Sequence, residues 1–132
     1  MDIIEMQKEI DNMDYWDCKV LDININYFGD EVTVVFENDK DTDFLIKFLM
    51  CYKVSYETDA NNRWNHGCVC SMEKRQLGYY AHDITIEKSD IEEFIEVKLV
   101  LPMFFANIIC KEISVSKIEH IEDNFFWAKN KI

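Results

Sequence analysis

Asp39, Asp41 and Asp43 stand at alternate positions in the run Asn38-Asp39-Lys40-Asp41-Thr42-Asp43. A calcium loop opens with this spacing, because a hard cation needs several carboxylate oxygens converging at short range. The rest of that pattern is missing: glycine is needed where Phe44 stands and a bidentate glutamate where Met50 stands. The three aspartates therefore read as a solvated acidic loop. His66, Cys68 and Cys70 form the other cluster of ligand types, and zinc favours imidazole with thiolate, with Cys51, His82 or Cys110 available as a fourth donor. Zinc ligands come as close pairs with a second pair downstream, and no second pair follows here. Two buried thiols flanking Val69 are the simpler reading, so neither a metal nor another cofactor is expected.

Nucleophilic chemistry is equally poorly supported. Five cysteines, at 18, 51, 68, 70 and 110, and three histidines allow a thiolate and imidazole pairing on paper. No glycine-rich loop, nucleophile elbow or P-loop can be written. His82 lies in phase with Tyr80 and Ile84, as a core histidine would, and His120 has no identifiable partner beside Glu119 and Ile121. Glycosidase chemistry needs two carboxylates at a set separation in a sugar cleft. Trp16, Trp64 and Trp127 could line one, but aromatics in a small β domain are more often core. Trp64 is the exception: between Arg63 and Asn65 in an aperiodic stretch, it has the character of an interface anchor. The expectation is a protein that binds and does not catalyse.

Charge points the same way. The first 43 positions hold 13 acids and three lysines, whereas the remaining 89 hold 13 acids and 11 bases, so the net charge of −12 is largely local. Such a field repels nucleic acid and anionic membrane and favours a basic partner. Met1-Asp2-Ile3-Ile4-Glu5 places acid where a secretory signal needs positive charge, and the apolar stretches fall short of the roughly 18 residues that span a bilayer. The odd, scattered cysteines read as reduced thiols. A cytoplasmic protein is expected.

Several elements must position these groups. Ile3, Met6, Ile10 and Met13 share one stripe of a short amphipathic helix. The period then changes to two. With Gly29-Asp30 as a two-residue type II′ turn, Tyr27 faces Val32, Ile25 faces Val34, Ile23 faces Phe36, and on the other face Asp22 opposes Glu37. Like charges opposed in a ladder are destabilising. The acidic loop leaves the same open end of the hairpin and Asp17 approaches it, so the acids form a spatial patch.

Phe44 to Tyr56 reads as one long strand, Ser71 to Leu77 as a helix, and Ser89 with Glu92 as a capping box over a helical turn. Tyr80 to Ile86, Ile95 to Leu101 and Ile109 to Val115 read as further strands, with Pro102 closing the second of them and Phe125-Phe126-Trp127 docking on the sheet. Low glycine and proline content and the absence of repeats indicate one domain over residues 1–132. The fold class is α+β, mainly antiparallel β: a single sheet or an open barrel or sandwich, with an N-terminal helix and one or two short peripheral helices.

Trp16-Asp17 leading into Val20 and Ile23, the Gly29-Asp30 turn, the strand of Val32, Val34 and Phe36, and an acidic loop before a second apolar strand resemble the small bacterial immunity proteins of polymorphic toxin systems. The resemblance covers positions 1–55 and carries no residue roles. It implies a cytosolic, non-enzymatic protein that neutralises one toxin by tight binding. The expected binding face comprises Asp17, Asp22, Glu37, Asp39, Asp41, Asp43 and Trp64, against a basic protein such as a toxin. Two alternatives stand beside it. One is a small-molecule-binding or enzymatic β domain with its pocket near residues 58–78, and the other is a structural subunit, including one of phage origin.

Overall fold

The computed structural model describes residues 2–58, 68–102 and 104–130. Among them, helix α1 (Ile3–Asp11) precedes eight strands: β1 Val20–Asn26, β2 Glu31–Glu37, β3 Thr42–Leu49, β4 Lys53–Thr58, β5 Asp83–Lys88, β6 Ile95–Leu101, β7 Phe104–Cys110 and β8 Glu112–Glu119. Every pairing is antiparallel, in two four-stranded sheets ordered β1-β2-β3-β8 and β4-β7-β6-β5. Of the architectures compatible with the sequence, the sandwich is the one that forms, and neither sheet closes into a barrel.

The alternation of each strand builds the core between the sheets. Val34, Phe36, Ile46 and Phe48 from the first sheet meet Ile84, Val97, Leu99 and Ile108 from the second. Helix α1 closes one side of this core, burying Met6, Ile10 and, just past its end, Met13. The Asp2 carboxylate caps it, accepting the Glu5 N–H at 2.8 Å. The helix also covers a sheet edge. The Gln7 amide donates to the Ile84 carbonyl and accepts from the Ile86 N–H, both at 2.9 Å, and the Tyr15 hydroxyl accepts the Ile84 N–H at 3.0 Å. These side chains stand in for the strand that β5 lacks.

A second core lies on the outer face of the first sheet. Leu21 and Val35 meet Met72, Leu77, Phe125 and Trp127 there. Consecutive burial of Val34, Val35 and Phe36 follows, because β2 is covered on both faces. The C-terminal aromatic run docks as its composition predicts.

The hairpin register differs from the expected one. Ile25 faces Val32 and Ile23 faces Val34, a bulge at Leu21 lets Val20 face Phe36, and the loop is the four residues between Asn26 and Glu31. A two-residue displacement preserves which side chains share a face, so alternation cannot detect it, and the turn decides. Asp22 consequently opposes Val35, and Glu37 opposes Asp43 of β3. Tyr27, Phe28 and Gly29 all take left-handed backbone, at φ 54°, 59° and 94°. For a bulky aromatic this costs about 1 kcal/mol. Phe28→Asn, which suits that conformation, should therefore raise stability by about 0.5–1 kcal/mol in urea denaturation. No gain would show that the φ is unstrained.

The expected strand from Phe44 to Tyr56 is two. Met50, at φ 54°, turns the chain from the first sheet to the second, and Tyr52 N–H then donates to the Ile109 carbonyl at 2.7 Å. Ile46 and Phe48 before this corner and Val54 after it pack against the same core at even-numbered positions, which hides it from the periodicity. Ile109 to Val115 likewise divides between β7 and β8. In place of a helix over Ser71 to Leu77 there are two 3-10 turns, Val69–Ser71 and Lys74–Gln76. Met72 and Leu77 both enter the second core, and residues five apart point to different sides of a continuous α-helix. Ser89 begins a tight turn, not a helical one: its hydroxyl donates to the Phe94 carbonyl at 2.7 Å and accepts the Ile91 N–H at 3.1 Å.

Candidate functional site

The β2–β3 loop is organised by Asp39. Its Oδ1 accepts the Asp41 N–H at 2.9 Å, the Thr42 N–H at 2.7 Å and the Thr42 hydroxyl at 2.9 Å. These bonds, led by the one from Asp41, hold the carboxyl below its ordinary pKa. Asp39 and Asp41 are both exposed. Asp17 is also exposed, at φ 60°, anchored by its N–H to the Ala81 carbonyl at 3.0 Å. Burial raises the Cys18 thiol pKa, and the charges of Asp14, Glu37 and Asp17 raise it further. Asp14, Glu37 and Asp17 thus converge around Cys18 at the entry to β1.

Three of the proposed face residues do something else. Asp43 is 1 % exposed, and its carboxylate grips His120 Nδ1 at 2.8 and 3.1 Å. His120 Nε2 meets Glu122 at 2.8 Å, and the other Glu122 oxygen accepts the Trp127 indole N–H at 2.6 Å. Glu37 pairs with Lys74. Asp22 accepts the Asn24 amide at 2.8 Å and lines a groove with Ile23 and Tyr56. The acidic end is therefore divided between an exposed rim of Asp17, Asp39 and Asp41 and an internal ion network beneath it.

That network went unseen in the sequence, where His120 had no partner. Its nearest clue is Glu122 two positions on, whereas Asp43 reaches it only because β3 and β8 pair. Burial lowers the His120 pKa, but the hydrogen bonds from Asp43 and Glu122 outweigh it and the net shift is upward. Burial raises Asp43 against the pull of His120. Glu122 is lowered, its bonds to His120 and Trp127 overcoming burial. Both ring nitrogens of His120 are thus engaged by carboxylates of the protein itself.

The thiols offer no dyad either among the described residues. His82 is exposed, not a core histidine, and its ring meets Trp16 edge-on at 4.8 Å. Trp16 itself is 54 % exposed and Trp127 is buried. Cys68 and Cys70 are exposed, contrary to the buried pair expected. A hydrogen bond with Cys51 and, after it, burial hold the Cys110 thiol far up, while the same hydrogen bond lowers Cys51. Among the described residues no group of three or more His, Cys, Asp or Glu is placed to hold a metal. Trp64 and His66 lie outside the described residues.

Residues 2–117 match the family model described as "Immunity protein PIM7". No curated protein matches the chain. Its fold resembles the crystal structure of an uncharacterized protein from Neisseria gonorrhoeae, with a TM-score of 0.51 and 12 % identity, covering 77 % of this chain and 92 % of that one. At that identity the likeness concerns the fold alone. The family match runs from the start of α1 into β8 and so takes in both sheets and the acidic loop. The chain belongs to the immunity protein PIM7 family.

Proposed function

We propose that this chain neutralises one cognate toxin in the cytosol by non-enzymatic binding, and that the toxin presents a basic surface to the acidic rim. One observation carries the basic partner: Asp39 and Asp41 stand exposed on a loop that the Asp39 carboxylate itself makes rigid. Asp17 adds charge beside the half-exposed Trp16, an anchor of the kind interfaces favour. A toxin nuclease fits this surface, because its phosphate-binding groove is positive and an acidic inhibitor can occupy it.

Rim charges act mainly on association. With the protein encoded by the open reading frame next to this chain's gene as the toxin, the triple variant Asp17→Asn, Asp39→Asn, Asp41→Asn should associate about tenfold more slowly at low salt, with a flatter salt dependence and an unchanged dissociation rate. Stopped-flow fluorescence reads all three. An unaltered association rate and salt slope would dismiss the acidic rim. Asp43 is kept intact because its neutralisation tests the fold, not the surface.

A further inference from the structure

The two sides of the sandwich are finished differently. Helix α1 packs against β5 and β8, and its Gln7 and the following Tyr15 occupy the outward backbone groups of β5. On the opposite side run β1 and β4, the terminal strands of their sheets. The residues Tyr79 and Tyr80 cover the start of β1. From Asp22 onward, no backbone partner outside β2 is found for it among the described residues.

Two grooves line this side. One of about 470 Å³ is bounded by Ile25, Tyr27, Phe28, Asp30, Tyr52 and Lys53, and one of about 240 Å³ by Leu21, Asp22, Ile23, Tyr56 and Phe104 among others. Phe28 is 113 % exposed, Tyr27 73 % and Tyr52 65 %. An exposed apolar cluster of this size marks an interaction surface. The Cys51 N–H donates to the Asp30 carbonyl at 2.9 Å, tying the two aromatic turns together through the backbone. Tyr52 meets Phe94 edge-on, and Tyr56 stacks on Phe104.

We propose that the toxin seats on this open side between β1 and β4, with Tyr27, Phe28, Tyr52 and Tyr56 as its aromatic anchors. This rests on the toxin-binding reading above and adds where the tight contacts lie. Charge complementarity selects this occupant: the chain carries a net charge of −12, and the smaller groove holds Asp22 with no basic residue lining it, open to a basic partner's arginine or lysine, whereas Asp30 in the larger groove stands beside Lys53. Size agrees. The seven residues of β1 span about 23 Å, and a standard interface of about 800 Å² per partner is about 32 Å across. One footprint therefore reaches from the acidic entry of β1 to the Tyr27-Phe28 tip.

The test uses the full chain and, as the toxin, the protein encoded by the open reading frame next to its gene. The double variant Phe28→Asn, Tyr52→Ser should dissociate about 100-fold faster with association within about twofold of wild type, while thermal melting confirms that it folds. Phe105→Ser, which removes an exposed aromatic from the outer face of β7, should leave dissociation unchanged. Amide exchange in the complex should slow in β1 and β4. Dissociation of the double variant within about threefold of wild type, or slowing confined to α1 and β5, overturns the proposal. A wild-type dimer in sedimentation that the double variant dissolves assigns the face to a second copy of this chain and overturns it too. Failure of the wild-type chain to bind the toxin sinks the toxin-binding reading itself. An acidic-rim effect with wild-type dissociation in the double variant leaves that reading standing and removes this one.

Discussion

Replacing His120 with alanine should destabilise the protein by about 3 kcal/mol near pH 6, because it leaves the Asp43 carboxylate buried without its counter-ion. The pH dependence separates this from simple loss of packing. His120 has a raised pKa in the fold, so its contribution is complete below the ordinary histidine value and is lost as pH rises through the raised one. Glu122 has a lowered pKa, so its contribution is present above the ordinary glutamate value and is lost as pH falls through the lowered one. Asp43, raised, opposes folding once it ionises. Wild-type stability should therefore hold between about pH 5 and 6.5 and decline above it. In the variant, Asp43 takes up a proton more readily, so the deficit should shrink toward about pH 4. Urea denaturation across this range measures it, and a deficit independent of pH would refute an ion network.

Trp127→Ala should cost about 4 kcal/mol. The indole is 2 % exposed. It stacks on Phe125 at 4.6 Å and 5°, closes the core over Val35 and Leu21, and donates to Glu122. Trp127→Phe separates the two roles, keeping most of the packing and losing the hydrogen bond for about 1–2 kcal/mol. Because the second core and the His120 network share Glu122, the two losses should not add when Trp127→Ala and His120→Ala are combined. Additive costs would mean that the C-terminal segment packs independently of the ion network.

The strands were legible wherever one face is buried, because alternation reports that face directly. This is how Ile23, Val32, Val34 and Phe36 find the core, and why the α1 stripe and the docking of Trp127 could be read. What alternation does not carry is where a strand ends while its parity continues. The corner at Met50 and the two-residue displacement of the hairpin both keep parity, so both were invisible. Met72 and Leu77 look helical in isolation, and only the second core, five residues apart, requires a break there.

The candidate site divides along the same line. Charge density in residues 1–43, the exposed Asp39 and Asp41, and the resemblance to immunity proteins follow from composition and local order, since solvated loop residues need no distant partner. Which acids reach solvent does not follow from them. Asp43 and Asp39 are alike in sequence, yet one is clamped beneath His120 and the other organises a surface loop, because strand pairing brings position 120 to position 43 across a separation no local pattern encodes. The same holds for the open β1 and β4 side. Sequence supplies the aromatic residues, but their exposure depends on which strands end at the edges of their sheets and which of those edges α1 covers.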